Sequence, residues 1–155
     1  MQIEKCKMQS QIGMVDISEK KPVRRTAVAE GKIFLKKSTM GKIKNKKIKK
    51  GDPLTVAEIA AINAVKDTPR LIPLCHQIPI SKVETSFAVG TGTITARTTV
   101  TAVAKTGVEM EALAGVSAAL LTIWDMVKYL EKDENGQYPD TRIADVRVVE
   151  KVKGR

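Results

Sequence analysis

Residues 81–130 read SKVETSFAVGTGTITARTTVTAVAKTGVEMEALAGVSAALLTIWDMVKYL, and this stretch decides the fold. The GTG at positions 90–92 predicts a hairpin between a strand that begins near Lys82 and a threonine- and valine-rich strand. Gly107 ends the second strand. The alanine-rich apolar segment from Val108 to Leu130 then predicts a long, largely buried helix. Two antiparallel strands followed by a core helix are therefore expected here.

The flanking segments add a strand and a helix before the hairpin and a strand after the long helix. Alternating apolar residues over 24–36 predict the first strand. Thr55 and Glu58 form a capping box, which predicts a helix that begins there and ends before Pro69. Residues 141–151 alternate again and predict the last strand. The order is the split β-α-β pattern, so we predict an α+β, ferredoxin-like fold with the two main helices on one face of an antiparallel sheet.

Length and composition indicate how the chain is organised. With 155 residues and 43% hydrophobic content, residues 1–155 are predicted to form a single domain. Residues 1–13 are predicted to be a flexible arm, and residues 37–52 a basic, mobile loop. No apolar run approaches the roughly 20 residues that span a bilayer, and the first residues lack a secretory signal. A soluble, cytoplasmic protein without a membrane partner is expected.

The formal charge of +10 is the strongest compositional signal. Such an excess attracts a polyanion, which can be nucleic acid, an acidic membrane or a phosphorylated metabolite. Proteins that bind single-stranded nucleic acid interleave aromatic and basic residues, and only 3% of this chain is aromatic. A phosphorylated metabolite is therefore favoured. A lysine run such as residues 42–50 is also common on an ordinary solvated surface, so composition leaves both explanations open.

The cysteines and the one histidine give weak signals. Cys6 and Cys75 fit neither a disulfide framework nor a zinc cluster, which is typical of a reducing cytoplasm. His76 follows Cys75, but sequence neighbours rarely bind one metal ion together, so no metal site is predicted. Cys75 is expected to be a small buried apolar residue. His76 either forms a hydrogen bond within a turn or carries a proton.

Several charged residues lie on or just before the long helix. The KTG at positions 105–107 stands where free backbone amides can hold an anion, although an ordinary turn has the same sequence. Glu109 and Glu111 can act chemically or simply oppose the helix dipole. Asp125 and Lys128, three residues apart, can exchange protons with a substrate or form an ordinary surface ion pair. The residues alone leave these alternatives open.

Four segments together resemble the cyclic pyranopterin monophosphate synthase family, often called MoaC. They are MVDISEK at 14–20, KGDPLTVAEIAAINAVKDTPRLIPLCH at 50–76, KTGVEMEAL at 105–113 and LTIWDMVK at 121–128. The resemblance covers residues 14–151. It implies a phosphorus–oxygen lyase of molybdenum cofactor biosynthesis, which converts 3′,8-cyclo-7,8-dihydroguanosine 5′-triphosphate to cyclic pyranopterin monophosphate and releases pyrophosphate.

The resemblance also implies partners and an assembly. A radical SAM enzyme is expected to make the cyclic dihydro-GTP substrate from GTP. No redox cofactor is expected, while magnesium can accompany the triphosphate. The implied assembly is a homohexamer, a trimer of dimers, whose active sites form between subunits.

Site residues follow from the matching positions. The resemblance implies that Asp125 and Lys128 carry general acid and base steps, and that Lys50 and Lys151 are catalytic or phosphate-steering amines. The implied substrate-binding residues are Arg25, Cys75, His76, Lys105, Glu109, Met110 and Glu111. The ending EKVKGR leaves open whether Lys151 or Lys153 is the last functional lysine.

Two other classes of function are weighed against the enzyme. The first is a basic module for RNA or DNA, in which the helix charges are ordinary surface residues. It explains the net charge but gives no reason for LIPLCH, TGVEMEAL and the Asp125–Lys128 pair to occur together, so nucleic acid is not favoured as a partner. The second is an oligomer subunit without activity, for which the candidate site residues would be exposed and scattered.

Overall fold

A computed structural model describes residues 12–155 as three helices and four strands. In chain order they are β1 (Val23–Phe34), α1 (Lys37–Lys44), α2 (Pro53–Leu71), β2 (Ile80–Val89), β3 (Thr93–Ala104), α3 (Glu109–Glu131) and β4 (Arg142–Lys153). The arm predicted over residues 1–13 falls almost entirely outside the described residues. The extent of the domain over residues 1–155 stays a prediction for the same reason.

The four strands form one antiparallel sheet in the order β2-β3-β1-β4. The predicted hairpin joins β2 to β3, and the Gly90 N–H donates to the Thr93 carbonyl at 2.8 Å. The α+β class is confirmed by this sheet and its helices. The strand order agrees with the split β-α-β pattern. The closer comparison with ferredoxin stays a prediction.

The hydrophobic core lies between one face of the sheet and the helices α2 and α3. Alternate residues of β3 face this core and are fully buried, namely Ile94, Ala96, Thr98, Val100 and Ala102. Gly115 of α3 lies where the helix crosses β3 and α2. A Cβ at this position would stand 2.8 Å from Thr98 Cγ2 and 2.9 Å from Val65 Cγ2, so glycine permits the close packing. Both helices therefore lie on one face, as predicted.

The long helix α3 is the core helix of this fold. The expectation that no apolar run is long enough to span a bilayer was wrong for this helix: by length and composition it could cross one, with a mean hydropathy of 1.4, but half of that apolar window is buried inside the protein. It packs against β1, β3 and α2. Its apolar character therefore serves the core, where the other elements cover it.

The segment 37–52, predicted to be a loop, contains the helix α1, so that prediction was wrong for its first half. Thr39, Met40 and Ile43 are buried on one side of α1, and Ile48 is buried just after it. These anchors are separated by lysines, which hid the helical spacing of the apolar residues. Burial of these side chains, which recur at helical spacing, stabilises the helix more than the lysines at the remaining positions destabilise it.

The predicted start and end of α2 were also wrong. Its N-cap is Asp52, whose carboxylate accepts the Leu54 N–H at 3.0 Å and the Thr55 hydroxyl at 2.9 Å, instead of a box between Thr55 and Glu58. The helix continues through Pro69 to Leu71. A proline in the last turn removes only one helix hydrogen bond, so the chain completes its turn before leaving the helix.

Candidate active site

The sequence-predicted site residues collect in two clusters near opposite ends of α3. The lysine–aspartate cluster consists of Lys50, Asp125 and Lys128. The glutamate cleft is a hollow of about 620 Å³ at the N-terminal end of α3. Its walls include the predicted residues Cys75, His76, Glu109, Met110 and Glu111. The remaining predicted residues, Arg25, Lys105 and Lys151, adjoin this cleft through the contacts described below.

In the lysine–aspartate cluster, one carboxylate holds two amines. Asp125 Oδ1 lies 2.8 Å from Lys128 Nζ, and Oδ2 lies 2.9 Å from Lys50 Nζ. Lys50 Nζ also donates to the Asp125 carbonyl oxygen at 3.1 Å. Lys128 is placed by the helix itself, since residues three apart share a face. Lys50 comes from the segment between α1 and α2, so its position depends on how that segment is held.

The charges of this cluster are fixed by its hydrogen bonds. The bond from Lys128, followed by the bond from Lys50, lowers the pKa of Asp125 to about 2. The bond to Asp125 in turn raises the pKa of Lys128. At neutral pH Asp125 is therefore a carboxylate and Lys128 an ammonium group, and two lysines around one aspartate give the cluster an excess of basic residues. It can donate protons from the lysines and attract phosphate oxygens, while Asp125 holds the two amines in place.

The two glutamates of the cleft are held in different protonation environments. Burial raises the pKa of Glu109, but the hydrogen bond and charge of Lys151 outweigh it and lower the pKa overall. Glu111 is only 3% exposed, and this burial raises its pKa. Two carboxyl groups with pKa values displaced in opposite directions can serve as a proton donor and an acceptor in the same site.

Gly107 allows the Glu109 carboxylate to fold back against the main chain. A Cβ at position 107 would collide with the carboxyl oxygens of Glu109. Lys151 of β4 contacts that carboxylate from the sheet side. Lys153 lies opposite Arg25 and forms no ion pair in the described part of the chain, so the contact favours Lys151, and the choice between the two lysines stays a prediction.

His76 and Lys105 face main-chain carbonyls of the segment 15–18. His76 Nε2 lies 2.7 Å from the Val15 carbonyl oxygen, and because a carbonyl can only accept, this nitrogen carries the proton. Lys105 Nζ donates to the Ser18 carbonyl at 3.0 Å. Val15 itself lines the cleft. The two side chains therefore close one side of the cleft with a short stretch of backbone.

Arg25 and Cys75 have contrasting roles in the cleft region. Arg25 Nη2 donates to the Lys105 carbonyl at 3.3 Å, while its Nε is buried without an acceptor among the described residues. Cys75 was predicted to be buried but is half-buried; it lines the cleft, and burial raises the pKa of its thiol. No cluster of three or more metal-binding side chains occurs within residues 12–155.

The two clusters are too far apart to act on one small molecule within a single chain. Asp125 lies 16 residues beyond Glu109 on the same helix. At 1.5 Å per residue this is roughly 24 Å. The structure thus brings the predicted residues into two groups, but one chain does not join the groups.

Two residues of α3 that accept hydrogen bonds from other segments were not predicted from the sequence. Glu131 is fully buried and accepts the Lys36 N–H at 3.1 Å and the Thr141 hydroxyl at 2.6 Å. The Tyr129 hydroxyl accepts the Lys49 N–H at 3.0 Å. Two of these three donors are backbone groups, which leave no mark in a sequence. The spacing of Tyr129 four residues after Asp125 was the one available signal.

Comparisons with known proteins place this geometry in context. The model of the MoaC family matches residues 14–154. The chain is 60% identical over 142 residues to a protein of Aeropyrum pernix named probable cyclic pyranopterin monophosphate synthase, covering 92% of this chain and 97% of that protein. Proteins with the same name from Thermococcus kodakarensis and Methanosphaerula palustris are 60% and 58% identical over 143 residues. Both matches cover 92% of this chain, with 92% and 93% of the respective relatives.

Proposed function

We propose, from the premise that this chain belongs to the MoaC family, that it is a cyclic pyranopterin monophosphate synthase, a lyase of molybdenum cofactor biosynthesis. The resemblance predicted over residues 14–151 is confirmed by the family match. The observation that carries the proposal is that the residues implied by the family form two pre-arranged acid–base clusters. The proposed substrate is 3′,8-cyclo-7,8-dihydroguanosine 5′-triphosphate, with cyclic pyranopterin monophosphate and pyrophosphate as products.

The lysine–aspartate cluster suits the phosphate end and the proton transfers. Forming a cyclic monophosphate from a triphosphate requires an attacking hydroxyl to lose a proton and pyrophosphate to leave. Lys50 and Lys128 are held as ammonium groups on Asp125, so they stabilise charge that develops on the phosphate oxygens. Residues 36–50 hold eight lysines and no acidic residue, which adds a long-range attraction for the anion.

The glutamate cleft suits the base-derived part of the substrate. A guanine-derived ring presents several N–H donors, and carboxylates accept them. Glu111 is buried and Glu109 is held by Lys151, so both acceptors have fixed positions. Arg25 keeps a buried Nε–H without an acceptor in the described residues, which makes it available to a substrate oxygen at the edge of the cleft.

A second copy of the chain is proposed to bring the two clusters together. Between them, α3 exposes or half-exposes a stripe at helical spacing, formed by Met110, Ala114, Ser117, Leu121 and Asp125. Antiparallel packing of this stripe about a two-fold axis would place the lysine–aspartate cluster of one copy beside the glutamate cleft of its partner. The roughly 24 Å separation along one helix supports this assembly. The homohexamer, a trimer of dimers, is the full form of the proposal.

The remaining requirements are proposed from the chemistry of the groups present. The two clusters offer proton donors, proton acceptors and cations for phosphate, so no resident redox cofactor is proposed, and magnesium would enter only with the triphosphate. The protein is proposed to act in the cytoplasm, where a radical SAM enzyme supplies the cyclic dihydro-GTP. Membership of a biosynthetic enzyme family supports both statements.

The experiment that tests the function is turnover of the proposed substrate. Purified protein is incubated with enzymatically made cyclic dihydro-GTP, and pyrophosphate and the pyranopterin product are measured together. We expect product from the unaltered chain and from Lys66→Ala, a change on the exposed side of α2, but none from Lys128→Ala. No product from a well-folded oligomer would overturn the proposal. Binding of RNA or DNA at several salt concentrations would then be measured on the same sample.

A further inference from the structure

Lys49 and Lys50 contact α3 at two points one helical turn apart. The Lys49 N–H donates to the Tyr129 hydroxyl at 3.0 Å, and Lys49 Nζ lies 5.3 Å from the centre of the tyrosine ring. The next residue, Lys50, donates to the Asp125 carboxylate at 2.9 Å. Tyr129 follows Asp125 by one turn on the same helix face. The two adjacent lysines thus contact two α3 residues that lie one turn apart on the same face.

The backbone that carries Lys50 has few other supports. It lies between the end of α1 and the start of α2, outside both helices. Ile48 is buried, and its carbonyl accepts the Gly51 N–H at 3.1 Å in a turn where Gly51 has a φ of 110°. Lys50 itself is exposed. An amine at the end of a four-carbon chain is placed only as well as its backbone is fixed.

We propose that Tyr129 is a positioning residue for Lys50. By accepting the Lys49 N–H, its hydroxyl fixes the backbone from which the Lys50 amine reaches Asp125. The catalytic consequence rests on the proposed function, whereas the placement of the amine can be measured without turnover. Tyr129 touches neither amine of the cluster through its hydroxyl, so it acts through Lys50.

The chemistry of the contact explains why a phenol is needed. The ring provides a surface for the Lys49 ammonium, as a phenylalanine would also do. Only the hydroxyl offers an acceptor to the backbone N–H. The substitution Tyr129→Phe therefore removes the anchor and keeps the packing. Lys66→Ala, on the exposed side of α2, is the control, because Tyr138, the other tyrosine of the chain, lies near enough to Lys128 to raise its pKa.

The first test measures the amine directly. The rate at which an amine-reactive reagent labels Lys50 is followed by peptide mass spectrometry in the intact oligomer. Release of an exposed ion pair should raise this rate about two- to five-fold in Tyr129→Phe. Asp125→Ala gives the rate after loss of the carboxylate, with the bond to the main-chain carbonyl of residue 125 retained, and Lys66 gives an internal reference. An unchanged Lys50 rate in Tyr129→Phe would refute the inference, whatever the activity.

The second test measures the catalytic consequence. Misplacing the amine should lower kcat/KM about ten-fold in Tyr129→Phe, while Lys66→Ala keeps the original value. In a Lys50→Arg background, Tyr129→Phe should cost less than it does alone, since the two residues act in one chain of contacts. Fully additive losses would show a structural role and overturn the inference. An inactive unaltered chain in which Tyr129→Phe still speeds Lys50 labelling would overturn the proposed function and leave the positioning intact.

Discussion

The two ends of α3 hold their charged residues in different ways. Near the C-terminal end, the side chain of Asp125 is 55% exposed, and its charge is fixed by two lysines at hydrogen-bond distance. At the N-terminal end, Glu111 is 3% exposed, and burial governs its protonation. One helix therefore carries a solvated ion-pair cluster and a desolvated carboxyl site. The first suits binding and protonation of phosphate, and the second suits recognition of a ring with N–H donors.

Removing the carboxylate at the exposed end should have the largest effect on activity. Asp125→Ala removes the carboxylate that contacts both amines, so kcat/KM should fall by about 10² to 10⁴, the range for loss of acid–base groups. Because the site is exposed, the midpoint of thermal unfolding should change little. Turnover of cyclic dihydro-GTP and a thermal melt of the same sample provide the measurement. Activity within ten-fold of the unaltered chain would remove Asp125 from the site.

Glu131, which is buried at the C-terminal end of α3, should matter most for stability. Glu131→Ala leaves the Lys36 N–H and the Thr141 hydroxyl without their acceptor and opens a cavity. The free energy of unfolding should fall by about 3 kcal/mol, as measured by urea denaturation. Glu134→Ala, on the exposed turn before β4, is the control and should cost little. Equal stability of the two variants would show that the buried contacts contribute nothing.

The two glutamates should give opposite pH dependences of stability. The pKa of Glu111 is raised in the folded state, so its contribution is present below the ordinary value of 4.5 and is lost as pH rises through the folded pKa. The pKa of Glu109 is lowered, so its contribution is present above 4.5 and is lost as pH falls through the folded pKa.

Urea unfolding of Glu111→Gln and Glu109→Gln between pH 3 and 8 measures this difference. Relative to the unaltered chain, Glu111→Gln should become more favourable as pH rises, because it removes a buried charge. Glu109→Gln should become less favourable, because Lys151 loses its ion-pair partner. Parallel pH profiles for the two variants would mean that the cleft does not separate their pKa values.

The smallest expected effect concerns the lysines outside the cluster. Replacing Lys42, Lys44 and Lys47 together by glutamine should lower kcat/KM by about three-fold at low salt, because attraction of the triphosphate is weakened. The difference should disappear at about 1 M salt, where screening is strong. A single change at Lys66 is the control. A loss that is independent of salt would indicate damage to α1 instead of weaker steering.

The parts of the fold that could be predicted are those whose signal is local. The hairpin follows from GTG at 90–92, and α3 follows from a long apolar run. Helix α1 was missed because Met40, Ile43 and Ile48 lie among lysines, and burial of those few side chains needs the rest of the core. The start of α2 was misplaced because Asp52 and Thr55 are both good N-cap residues, and only the geometry distinguishes them.

In the site, too, local features could be predicted and long-range contacts could not. Its residues could be named from matching motifs, but their contacts depend on partners far along the chain. The Tyr129 hydroxyl accepts the backbone N–H of Lys49, and the Glu131 carboxylate accepts the backbone N–H of Lys36. Because both donors are backbone groups, the residue types at positions 49 and 36 do not predict these contacts. The separation of Asp125 from Glu109 could have been foreseen, since both were predicted on one helix. The proposed pairing with a second copy explains how residues this far apart on one helix could belong to one site.

Subunit complementation tests most directly whether two chains complete one site. Asp125→Ala and Glu111→Gln, each inactive alone, are co-expressed, and the mixed oligomer is purified through tags on both chains. If each site takes its lysine–aspartate cluster from one chain and its cleft from the other, a mixed dimer keeps one intact site of its two. A purified mixed dimer should then recover about one half of full activity, and a purified mixed hexamer whose three dimers pair at random should recover about one quarter. Mixed oligomers that stay as inactive as the separate variants would contradict a site shared between copies.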